Sequence, residues 1–150
     1  MAVHAEEIAR LMSARHPLGT KGYAVSHQDG FSRITLLPVE EGNCLLEITI
    51  SKSGEDLEFL AGQGTLYEGD YVQYPVNMEF IEDLIDAVLA GRVAERLYYF
   101  PAKAFGTLVK VRGEIEFKRF NRYEVNRPLS VFGPLAMQCQ EKRYTPYRKD

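Results

Sequence analysis

Tryptophan is absent from this 150-residue sequence, so its eight phenylalanines and nine tyrosines must supply the large aromatic packing. Cysteine occurs only at positions 44 and 139. Two distant cysteines do not form the dense disulfide framework of small secreted domains, so both are expected as reduced, buried thiols. Apolar runs are short, and none approaches the roughly 18 residues of a membrane helix. The opening Met1-Ala2-Val3-His4-Ala5-Glu6-Glu7 has neither the basic nor the apolar stretch of a secretory signal. These absences predict a cytoplasmic protein with no membrane partner.

Histidine is also scarce: His4, His16 and His27 are the only ones. No pair has the H-x-x-x-H or H-E-x-x-H spacing that brings two imidazoles to one metal on a helix. Gly62-Gln63-Gly64 lacks the third glycine and the following helix that a phosphate-binding loop needs. Neither cysteine sits in a nucleophile signature. The sequence therefore names no metal ligand, no cofactor and no catalytic residue, and it favours a protein that is not an enzyme.

What is present is an ordinary globular balance, 45% hydrophobic and 26% charged, which argues against disorder. The length fits one domain over residues 1–150. Residues 2–15 carry Ala5, Ile8, Leu11, Met12 and Arg15 at helical spacing. Pro17 and Gly19 end that helix, which packs on a sheet or on a second subunit, so a homodimer is one expectation. The period then becomes two. Strands are predicted on either side of Asp29-Gly30, over 44–51 and over 56–60, a run of hairpins that makes a meander. Residues 62–70 read as a glycine-rich loop, followed by a short extended piece at Tyr71, Val72 and Tyr74. A central amphipathic helix follows, with Asn77 as N-cap, the stripe Ile81, Leu84, Ile85, Val88 and Leu89, and Gly91 as C-cap. Strands return at 93–100, 105–111 and 114–120, with Arg112-Gly113 read as a hairpin turn. After Asn121 the pattern is ambiguous: Leu129–Phe132 suits a strand, and Pro134 could open a helix through Ala136, Gln140 and Arg143. Residues 144–150 read as a loose polar tail. The order predicts an α+β fold, a mainly antiparallel sheet with the two helices packed against it.

Charge is unevenly spread along the chain. Thirteen carboxylates face two cations between Glu40 and Glu95, and eleven cations face five carboxylates between Lys103 and Asp150. If the first block forms a patch, it suits a basic partner. The best-placed carboxylates are Glu79, Glu82, Asp83 and Asp86, on the central-helix face opposite the apolar stripe. The first functional expectation is accordingly a non-catalytic docking or inhibitory protein, comparable in size and charge to bacterial immunity proteins. The second is a small-ligand protein or enzyme whose pocket is lined by tyrosines such as Tyr71, Tyr74 and Tyr98, since tyrosine offers both an apolar body and a polar tip. Lys118-Arg119-Phe120-Asn121-Arg122-Tyr123 interleaves cations and aromatics as single-strand binders do, but the net charge of −3 argues against nucleic acid.

Overall fold

A computed structural model describes residues 2–69, 73–100, 107–129 and 138–147. Helix α1 (Ala5–Arg15) leads through a short 3₁₀ turn (Gly19–Gly22) into strands β1 (Tyr23–Gln28), β2 (Phe31–Leu36), β3 (Leu46–Ser51), β4 (Leu57–Ala61) and β5 (Thr65–Tyr67). Helix α2 (Met78–Leu89) follows, then β6 (Val93–Phe100), β7 (Thr107–Ile115), β8 (Tyr123–Pro128) and β9 (Gln138–Arg143). The strands form two antiparallel sheets. The first is a meander in chain order β1-β2-β3-β4-β5, and the second has the order β8-β7-β6-β9. The fold is α+β, with an N-terminal and a central helix.

The period-two stripes become one apolar face of the first sheet. Ile34 and Leu36, then Leu46, Ile48 and Ile50, then Leu57, Phe59 and Ala61 are all buried there, brought into line by the antiparallel register Ile34↔Ile48↔Phe59. On α1, Ile8 and Met12 are fully buried, while Leu11 only packs against the core edge. On α2 the stripe Ile81, Leu84, Ile85 and Val88 is fully buried. Asn77 caps this helix by accepting from the Phe80 N–H at 2.8 Å, which satisfies one of its free amino-terminal donors.

Four local readings change. Arg112-Gly113 is not a turn, because β7 runs straight through it. Gly113 is there because Thr65 lies against it: a Cβ on Gly113 would stand 2.0 Å from the Thr65 Oγ1. A strand glycine can mark such close approach as readily as a bend. Residues 65–67, read as loop, are β5, too short for alternation to register. The chain around Gln140 and Arg143 is strand β9, not helix, while Pro134 and Ala136 lie outside the described residues. Residues 144–147 are no tail. Tyr144 and Tyr147 are buried, Thr145 bridges Asn43, the Asn43 side chain donates to the Thr145 and Pro146 carbonyls at 3.3 and 3.2 Å, and the Tyr147 hydroxyl donates to the Cys44 carbonyl.

The two sheets meet at Glu95, on the inner side of β6 and only 2% exposed. Its carboxylate accepts from the backbone N–H of Gln63 and Gly64, in the turn that joins β4 to β5, at 2.8 and 2.9 Å, and from the hydroxyl of Thr65, the first residue of β5, at 2.8 Å. The Tyr144 hydroxyl donates at 2.5 Å from beyond β9. A buried carboxylate without such donors would be strongly unfavourable, and the donors without it would be stranded. Glu95→Ala should therefore lower stability by more than about 3 kcal/mol, the scale of several buried donors losing their acceptor. Urea unfolding of the variant and of the wild type checks this.

Candidate functional site

The carboxylates of α2 are largely engaged within the protein. Arg15, on the facing side of α1, places Nη1 2.5 Å from the Asp86 Oδ1 and Nη2 2.9 Å from the Glu82 Oε1. Both contacts hold the Arg15 guanidinium above its ordinary pKa, Asp86 foremost. Arg119 lies 3.5 Å from Glu79 and 3.4 Å from Glu82. Asp83 departs from its expected place on the solvated face: it is 2% exposed. The turn at 118–120 covers that part of the helix, and its amides need an acceptor. Asp83 supplies it, taking the N–H of Lys118 at 3.1 Å and of Arg119 at 2.8 Å. The acidic and basic blocks of the sequence thus meet and partly neutralise each other along α2.

The tyrosines separate in the same way. Tyr74 is 3% exposed inside a cluster of rings. It stacks on Phe80 with centroids 4.7 Å apart and meets Phe117 and Tyr123 edge-on, while its hydroxyl donates to the Asn121 carbonyl at 2.7 Å. It is a core residue with a satisfied polar tip, as buried tyrosines usually are. Tyr71 lies outside the described residues. Tyr98 differs: it is half-buried on the outer face of β6, with the Lys110 ammonium 5.3 Å from its ring centroid.

That outer face of the second sheet holds the candidate site. The side chains of Val93, Glu95 and Leu97 turn inward, so Ala94, Arg96 and Tyr98 turn outward, as strand alternation requires. The register lays three rows across the four strands. Glu124, Glu114, Ala94 and Arg143 form one, Asn126, Arg112, Arg96 and Glu141 the next, and Pro128, Lys110, Tyr98 and Cys139 the third. Ala94 is the short member among long neighbours, and an open groove of about 410 Å³ lies over the first two rows. Arg96 and Arg112 stand directly opposite each other at its centre. Like charges in that relation are unfavourable. Arg96 has Glu141 at 3.3 Å on its other side, and Arg122 holds Glu114 and Glu124 at 3.3 and 3.7 Å. Among the described residues Arg112 is exposed and makes no ion pair. Sequence reasoning missed it by assigning it to a turn; an uninterrupted alternation from Val109 to Ile115 was the available signal.

The histidines have local roles. His16 is buried. The Leu18 N–H donates to its Nδ1 at 2.9 Å, which leaves Nε2 to donate to the Leu37 carbonyl at 2.7 Å. His27 pairs with the Ser32 hydroxyl at 2.8 Å. Among the described residues no three His, Cys, Asp or Glu side chains gather as metal ligands, and no helix is long and apolar enough to cross a membrane. No family model, curated protein or solved structure matches the chain.

Cys44 and Cys139 are both free thiols, but only Cys44 is buried. Cys139 is exposed because it faces outward on the edge strand β9. Burial pushes the Cys44 thiol well up, and the thiolate is the reactive form. A thiol reagent should label Cys139 promptly in the native protein and reach Cys44 only on unfolding. Mass spectrometry of labelled peptides reads both sites, and labelling of Cys44 first would contradict this geometry.

Burial, with smaller repulsion from Tyr67 and Glu68, pushes the Tyr123 hydroxyl up to about 12, and burial raises Tyr74 as well. In the unfolded chain a tyrosine titrates near 10. Between those values the folded state keeps protons that the unfolded state releases, so this contribution is complete below about pH 10 and is lost as pH rises through the folded value. Urea midpoints measured across that range should fall steadily with pH, and replacing Tyr123 by Phe should flatten the decline.

Proposed function

We propose that the protein is a non-catalytic docking module that engages an acidic segment of a partner protein through the outer face of its second sheet. The observation that carries this reading is the Arg96–Arg112 pair, two like charges set opposite each other on β6 and β7 in the floor of an open groove. A sheet gains nothing in stability from that arrangement. A carboxylate-bearing segment would relieve it, and Arg143 and Lys110 on the same face would extend the attraction. The sequence alone points to a basic partner on α2, but Glu79, Glu82 and Asp86 already have Arg15 and Arg119 beside them. On the outer face of the second sheet, Arg112, Arg143 and Lys110 are the charges at the groove and beside it that make no ion pair among the described residues. Complementary charge of this kind speeds encounter and selects partners.

A second reading, a small anionic ligand, draws on the volume, which falls within the range of small-molecule sites. The groove is open and walled by charged side chains rather than by apolar ones, which suits a polypeptide better.

Immobilised wild-type protein should capture partners from native lysate that elute with salt. Arg112→Glu should lose them, while Glu82→Lys with Asp86→Lys should keep them. The opposite pattern would place the interface on α2. Arg112→Thr should also lose the partners yet unfold at equal or slightly higher urea, by about 0.2–1 kcal/mol, because it removes a like-charge cross-strand pair and introduces a good strand former. Loss of stability with retained capture would refute the assignment.

A further inference from the structure

We infer that two copies of this chain pair through the free edge of β1, joining their first sheets into one continuous sheet across a two-fold axis at Val25.

β1 is the first strand of its sheet and has a neighbour on one side only among the described residues. From Ala24 to Gln28 every residue is exposed. The backbone phase can be read from one bond. The Leu37 N–H donates to the Gly22 carbonyl at 2.9 Å, so the pair Gly22/Leu37 and every second pair after it bond to β2. Tyr23, Val25 and His27 therefore direct their N–H and C=O groups away from the sheet.

Protein edges are ordinarily protected by charge, proline or brevity. The other edges here follow that rule. β8 carries Glu124, Arg127 and Pro128, β9 carries Glu141, Lys142 and Arg143, and β5 has three residues and lies against the second sheet. β1 reads Tyr-Ala-Val-Ser-His-Gln, with no such protection. Among the described residues the exposed large apolar side chains are Leu18, Val25, Leu37, Val39 and Leu129. All but Leu129 belong to β1, to the segment leading into it, or to the segment leaving β2.

The register follows from symmetry. Two antiparallel copies related by a two-fold axis normal to the sheet must set one residue against itself, because opposed residues share a face. With Val25 at the axis, all three outward-facing residues bond: Val25 with its equivalent, and Tyr23 with His27 of the other copy. The same register brings Lys21, in the 3₁₀ turn before β1 of each copy, toward Asp29, in the turn after β1 of the other. Both are exposed, and neither makes an ion pair among the described residues. A charge of each sign at the two ends of a neutral strand is what antiparallel self-pairing requires, whereas a foreign strand would be indifferent to it.

Sedimentation velocity over a concentration series tests this. The 17.1 kDa chain should approach twice that mass as concentration rises. Val25→Pro should remain monomeric with an unchanged circular dichroism spectrum, since the N–H it deletes points to the open edge and not to β2. If that variant unfolds, Val25→Lys serves instead. Lys21→Asp should weaken association at least several-fold, and Lys21→Asp with Asp29→Lys should restore it. A wild type that stays monomeric at every concentration overturns the inference. So does a dimer indifferent to both Val25 variants, or a charge exchange that fails to rescue. Because the β1 edge is distant in sequence and sheet from Arg112, Val25→Pro should still capture the partners that Arg112→Glu loses.

Discussion

A single buried carboxylate organises the place where the two sheets of this protein meet. Glu95 is the inward residue of one sheet that reaches the turn ending the other, and it gathers four donors from Gln63, Gly64, Thr65 and Tyr144. The close packing around it depends on that contact. Thr65 can lie on Gly113 because its hydroxyl is drawn toward Glu95, and Gly64 can approach Val111, within 3.2 Å of where a Cβ would stand, because its amide is held there. Asp83 repeats the device on a smaller scale, where α2 meets the turn at 118–120. In both cases a negative charge organises backbone amides that would otherwise compete for water.

This use of carboxylates explains why the sequence was legible in one respect and misleading in another. Long apolar stripes are strong signals, because burial enforces their period. Ile81, Leu84, Ile85 and Val88 of α2 and the apolar residues of β2 to β4 accordingly lie where the pattern puts them, and Leu11 and Leu89 differ only by standing at the rim of the core. Charge has no such periodic constraint. An aspartate on the far side of an amphipathic helix looks solvated until another segment covers it, and nothing in the letters around Asp83 announces the turn at 118–120. The same limit hid the groove. Its floor joins four strands that are neighbours only in space, and the Arg112-Gly113 pair has the composition of a turn while Thr65, far away in the chain, dictates a strand.

The distribution of charge follows from the topology. Segments that are acidic and basic in sequence face each other at α2, where Arg119 and Arg15 balance Glu79, Glu82 and Asp86. On the outer face of the second sheet the carboxylates of Glu114, Glu124 and Glu141 are taken up by Arg122 and Arg96. Among the described residues, sheet register then leaves cations, rather than anions, without an ion pair at that groove.

The segment 144–147 has a consequence for the time course of folding. The meander from β1 to β5 can assemble hairpin by hairpin from contacts close in sequence. The strap that packs on its β2–β3 connection cannot, since Asn43 meets Thr145 and Pro146 across separations of 102 and 103 residues. Pairings of that range close the largest loops and come late. On the ribosome, the first sheet and both helices emerge long before Tyr144 and Tyr147 do, so Glu95 and the Cys44 carbonyl wait without their final donors. The seam beside Cys44 therefore closes after the meander has formed, with the docking of this strap.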